Sequence, residues 1–169
     1  MVQDFRVPSV EVIGDLMGDV MGMDGPAMLR QVPAAPLPVL ADLQGLAALV
    51  DRQLAACRRN STQLAVMVLH IDDAVPPALF QAMSERLRGR LRAPDLIFQI
   101  GAQAFGVVLL GIGHRQLDDV QRRLLRALAG AYGVGDGLVN AKVRIGVAAH
   151  PQPGISGAEL VRAATPSAN

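Results

Sequence analysis

The apolar positions of this chain change their period several times, and each change marks an element. Leu43, Leu46, Leu49, Val50 and Leu54 recur at helical spacing, and Arg58 and Arg59 follow where a helix C-terminus favours positive charge. Residues 64–71 form an apolar run of strand length, as expected of a central strand. Pro76 and Pro77 open a second helix that carries Leu79, Phe80, Met83, Leu87 and Leu91 on one face and is expected to stop near Pro94. Two β-type runs, 96–100 and 105–110, are separated by Gly-Ala-Gln-Ala, which is a hairpin spacing. Helical period returns over 115–128 through Leu117, Val120, Leu124, Leu125 and Leu128. Residues 130–137 are expected to form a Gly-rich loop, and 143–149 another strand. Ser156 and Glu159 have capping-box spacing for a final helix of barely two turns.

Helix, strand, helix, hairpin, helix, strand, helix is an α+β order: an antiparallel-containing sheet flanked by helices. Three regions differ in texture. Residues 1–30 are acidic and Met-rich, 31–39 hold three prolines and read as a stiff linker, and 40–169 have the periods of a compact domain. In the first region Gly14, Gly18 and Gly22 repeat every four residues beside Met17 and Met21, so the segment is expected to be an N-terminal helical appendage. Interior glycines cost about 1 kcal/mol each relative to Ala, a loss that close packing offsets. Gly14, Met17, Gly18, Met21 and Gly22 are therefore candidates for contact with a protein partner or a second copy. A flexible tail, or a helix covering the domain's own sheet, is the alternative.

Composition narrows the chemistry. The 169 residues are 51% hydrophobic but only 3% aromatic, so the core must be aliphatic. A net charge of +1 gives no bulk field for nucleic acid or anionic lipid. Arg86, Arg88, Arg90 and Arg92 alternate around their helix without interleaved aromatics, which also argues against nucleic acid. Every basic residue but Lys142 is Arg, a usage that fits a GC-rich bacterial genome. Cys57 is the single cysteine, which excludes an intramolecular disulfide and suits a reducing compartment. No basic head with an apolar run opens the chain, and no apolar stretch reaches the length of about 18 residues that a membrane helix needs, so a cytoplasmic protein without direct membrane insertion is expected. His70, His114 and His150 are too scattered for zinc, and His70 is read as a sheet-edge residue; neither a metal nor a cofactor is expected.

Four segments together carry a resemblance. They are Leu43-Gln-Gly-Leu46, Leu69-His-Ile-Asp72, Gly101-Ala-Gln-Ala-Phe105 and Val143-Arg-Ile-Gly-Val-Ala148. In order and interval, residues 40–164 resemble a degenerate GGDEF domain, the bacterial diguanylate cyclase fold. The resemblance implies that GTP cyclisation would need two carboxylates to hold divalent metal across the triphosphate. The first of these positions is His70 here and the second is Gln103, with Ala104 next; Asp72 alone remains. The guanine-recognition segment is lacking between Asp73 and Leu79, and the sequence ends before the phosphate-contacting Lys of the family. Loss of cyclase activity is the expectation.

The same resemblance implies an inhibitory site for cyclic di-GMP, Arg-x-x-Asp placed five residues before the signature turn and completed by an Arg of the following helix. Those positions are Arg92, Asp95 and Arg123. Guanidinium forks suit a phosphate or the Hoogsteen edge of guanine, and a carboxylate suits the guanine N1 and N2 donors. A cyclic di-GMP receptor or effector subunit in biofilm, exopolysaccharide or motility control is the implied function. The alternative is a ligand-independent interaction scaffold or dimerisation module. Without the family frame, Arg92 is a dipole-favoured helix end, Asp95 a turn residue beside Pro94, and Arg122 and Arg123 a solvated face.

Overall fold

The computed structural model describes residues 35–149 and 154–167. The candidates Gly14, Met17, Gly18, Met21 and Gly22, and His150, lie outside the described residues. The elements are β1 (Val39–Leu40), α1 (Leu43–Asn60), β2 (Leu64–Ile71), α2 (Pro77–Arg88), β3 (Leu96–Ile100), β4 (Ala104–Leu110), α3 (His114–Leu128), β5 (Gly130–Val134), β6 (Gly137–Ala141), β7 (Val143–Ala149) and α4 (Gly157–Ala164). Five strands form one sheet in the order β1-β3-β4-β2-β7, with β1 parallel to β3 and the remaining pairs antiparallel. The α+β expectation holds.

β2 is an interior strand of this sheet, between β4 and β7, and its apolar run follows from burial on both faces. Ala65, Met67, Leu69 and Ile71 pack with Leu79, Phe80, Met83 and Leu87 of α2 and Leu117, Val120, Leu124 and Leu128 of α3. Leu64, Val66 and Val68 pack instead with Leu46, Val50, Leu54 and Cys57 of α1 and Leu160, Val161 and Ala164 of α4. α1 sits close against β4: a Cβ on Gly106 would stand 2.9 Å from side-chain carbons of both Leu46 and Ile100. That approach holds β4, and the turn before it, in place.

Asp42 caps α1 by accepting from the Gly45 N–H at 2.9 Å. At α4 the full capping box forms: Ser156 Oγ accepts from Glu159 N–H, and the Glu159 carboxylate accepts from Ser156 N–H at 2.9 Å. Asp51 of α1 accepts from Gly157 N–H at 2.6 Å, and Arg58 donates to Ile155 C=O, so α4 is tied to α1 at its first turn. Ser156→Ala is expected to lower the midpoint of urea unfolding by the equivalent of about 1 kcal/mol. Hydrogen bonds from Ser156 hold the Glu159 carboxyl below its ordinary range, so this part of the cap is present at neutral pH and lost as pH falls through that lowered value.

Three expectations need correction. The second helix ends at Arg88, six residues before Pro94, because the chain turns at Gly89; Leu91 packs from the turn rather than from the helix. Residues 130–137 are not a loop. They form most of a separate two-stranded hairpin, β5-β6, around a two-residue turn of Gly135 and Asp136 in which Gly135 has φ +59°. Tyr132 of β5 is buried, donates its hydroxyl to Leu128 C=O at 2.7 Å and lies under the Arg86 guanidinium, which fixes the hairpin beside α2 and α3. Finally, His70 is not on an edge strand. It stands at the end of the interior strand β2, between β4 and β7.

Candidate functional site

Two places hold the residues singled out from the sequence, one at the end of β2 and one beyond the C-terminus of α2. At the first, the β3–β4 turn begins with Gly101 in the left-handed region (φ +56°), which suits glycine. Ile71 N–H donates to Gln103 C=O at 2.8 Å, so the third residue of the signature turn lies against the end of β2. His70 pairs in register with Ala104 on one side and Arg144 on the other. The two positions at which the resemblance requires carboxylates are thus adjacent in space but carry an imidazole and an amide.

Asp72 is the carboxylate nearest to them in sequence, and it is not free. The Arg144 guanidinium pairs with it through Nε, donates through Nη1 to Ser167 C=O at 2.6 Å, and approaches His70 Nδ1 through Nη2 at 3.4 Å. Among the described residues, no three His, Cys, Asp or Glu side chains gather as a set able to hold a metal ion. His70, Gln103 and a carboxylate already paired with Arg144 are a poor donor set for a hard divalent cation. Arg144 had no role in the sequence reading. Its position, inside a strand segment where the resembled family has Ser, was the available signal.

The second place brings Arg92, Asp95 and Arg123 together from three different parts of the chain: the turn after α2, the approach to β3, and α3. They line one groove of ≈ 470 Å³ with Arg90, Gln116 and Asp119. The Asp95 side chain is only 2% exposed and is engaged on both oxygens. Oδ2 accepts from Arg92 N–H at 3.0 Å, and Oδ1 accepts from Leu110 N–H at 3.4 Å. Asp95 therefore fastens the turn to the end of β4. The Arg92 side chain is 56% exposed, with Nε 3.8 Å from Asp95 Oδ2 and Nη2 at 3.4 Å from Leu110 C=O. Arg123 Nη2 donates to Arg90 C=O at 3.3 Å. Both guanidinium groups keep donors for a ligand.

Arg90 is a second residue missed by the sequence reading, which placed it on a helix. It sits past the helix end and is shared by the groove and an adjoining basic cleft of ≈ 390 Å³ lined by Arg122, Arg123, Arg126, Asp119 and Ala127. Arg122 is paired with Asp119 at 2.5 Å. The alternation of arginines through residues 86–92 concealed this, because the period assumed an unbroken helix.

Residues 39–167 match the family model described as the diguanylate cyclase GGDEF domain. The chain belongs to the GGDEF family. Among solved structures, the GGDEF domain of TpbB (YfiN) from Pseudomonas aeruginosa superposes with a TM-score of 0.65 at 21% identity, covering 74% of this chain and 80% of that one. The GGDEF domain of DgcB from Caulobacter crescentus, solved in complex with c-di-GMP, gives a TM-score of 0.63 at 15% identity over 83% of this chain and 88% of that one. Diguanylate cyclase SiaD, solved with its activator SiaC from Pseudomonas aeruginosa, gives 0.60 at 19% identity over 72% of this chain and 53% of that one. These likenesses are of fold. No curated protein matches the sequence. Within the GGDEF domain, no helix among the described residues is long and apolar enough to cross a membrane.

Proposed function

We propose that this GGDEF domain is a cyclic di-GMP receptor or effector subunit that has lost cyclase activity and works in the cytoplasm. The observation that carries the reading is the convergence of Arg92, Asp95 and Arg123 on one groove with spare guanidinium donors. Its dimensions and polarity suit a ligand with phosphates and guanine edges, for which forked, permanently charged donors are well matched. Because the Asp95 side chain is almost fully buried and accepts from Arg92 N–H and Leu110 N–H, it acts as a positioning residue that holds Arg92 at the rim, and recognition falls mainly on the arginines. Support for lost catalysis is the pair His70 and Gln103 at the metal positions, since neither supplies an anion to offset charge during phosphoryl transfer.

Isothermal titration with cyclic di-GMP tests the receptor reading, which expects saturable heat at one site class. Incubation with GTP and Mg²⁺ is expected to yield no cyclic dinucleotide above the no-enzyme level by mass spectrometry; product formation would overturn the assignment of His70 and Gln103. One observation favours the scaffold reading instead: the near-complete burial of the Asp95 carboxylate removes the group that would accept from guanine. That reading expects no heat with the nucleotide.

A further inference from the structure

The geometry points to Arg144 as a built-in cation at the end of β2 that opposes binding of the catalytic metals, in addition to the missing carboxylates at 70 and 103. Three connections fix its guanidinium: Asp72 through Nε, Ser167 C=O through Nη1 at 2.6 Å, and His70 Nδ1 through Nη2 at 3.4 Å. The backbone prepares this arrangement. Arg144 is the register partner of His70 on the neighbouring strand, so their side chains leave the same face of the sheet. Asp72 N–H donates to Lys142 C=O at 3.1 Å, which holds the end of β2 against the start of β7 and brings the carboxylate to the arginine.

Arginine carries a permanent charge, and with about a third of this side chain exposed the charge is only partly screened by water. A divalent ion placed beside residue 70 would meet a like charge at contact range and would find the nearest carboxylate already neutralised. The bonds to Asp72 and Ser167 and the approach to His70 hold the guanidinium at the end of β2. The loss of metal binding is thus enforced twice, by the missing anions and by an added cation. This inference concerns the end of β2 and does not rest on cyclic di-GMP binding at the groove.

The test restores the anions with and without the cation, using Mn²⁺ alone as the probe and the free-ion electron paramagnetic resonance signal as the readout. In the full chain carrying His70→Asp and Gln103→Glu, Mn²⁺ binding is expected to be at least about tenfold weaker than in the same chain with Arg144→Gln added. Equal affinity in the two proteins would overturn the proposal. Should Arg144→Gln fail to fold, Arg144→Lys in the same background keeps the charge and is expected to bind no more tightly than the double variant. Tighter binding there would equally overturn it.

Discussion

Arg123→Ala and Arg92→Ala are each expected to weaken cyclic di-GMP binding by about ten- to a hundredfold, the effect of losing charge-assisted hydrogen bonds worth about 1.5–3 kcal/mol. Isothermal titration of the three proteins under one buffer measures it. The two substitutions differ in what else they remove. Arg123 gives up only its bond to Arg90 C=O, so its variant should keep the wild-type melting temperature. Arg92 also contacts Leu110 C=O, but its backbone N–H bond to Asp95 survives the change to Ala, and the turn should therefore persist. Wild-type heat that is unaltered in both variants would remove the groove from consideration. Absence of heat in the wild type would leave the scaffold reading, which the sequestered Asp95 already favours.

Phe105→Ala is expected to destabilise the domain by about 3–5 kcal/mol, the range for truncating a buried aromatic. Phe105 closes the signature segment, but its ring is fully buried and stacks on Phe80 of α2 with centroids 4.3 Å apart at 18°. It therefore joins β4 to α2 across the core that also holds Leu69 and Met83. Since domains of this size are stable by only about 5–15 kcal/mol, the loss is a large share of the total and should appear as a clear fall in the urea midpoint. Gln103 is two residues away in the same motif and contributes its backbone carbonyl to Ile71 N–H, which a side-chain change leaves intact. Gln103→Ala should hence leave stability close to the wild type. The contrast would separate the residue of the signature that packing requires from one that it does not.

Periodicity found the elements whose burial is regular. β2 was legible because both its faces are covered and every position but one is apolar, and α3 because Leu117, Val120, Leu124 and Leu128 fall on one stripe. The end of α2 was not legible from Pro94, since after Arg88 the chain passes into a turn closed by Arg90 N–H on Leu87 C=O, which leaves Leu91 to be buried from that turn. The β5–β6 hairpin was hidden by glycines that usually depress strand formation. Gly135 and Asp136 form the two-residue turn that could have revealed it, and Tyr132 supplies the anchor.

What the sequence by itself determined is the α+β order, the four family segments, and the identities of His70 and Gln103 at the positions where the resemblance implies carboxylates, because local spacing and residue type carry the order and the segments directly. That Arg92, Asp95 and Arg123 line one groove was implied by the resemblance and needed the fold to be seen. Only the tertiary structure decided how their charges are used. Asp95 is consumed by Arg92 N–H and Leu110 N–H, and Asp72 by an arginine 72 residues further along the chain. The physical reason is that a carboxylate's availability depends on which donors surround it, and in both cases a decisive donor comes from a separate strand that only the sheet register brings within reach.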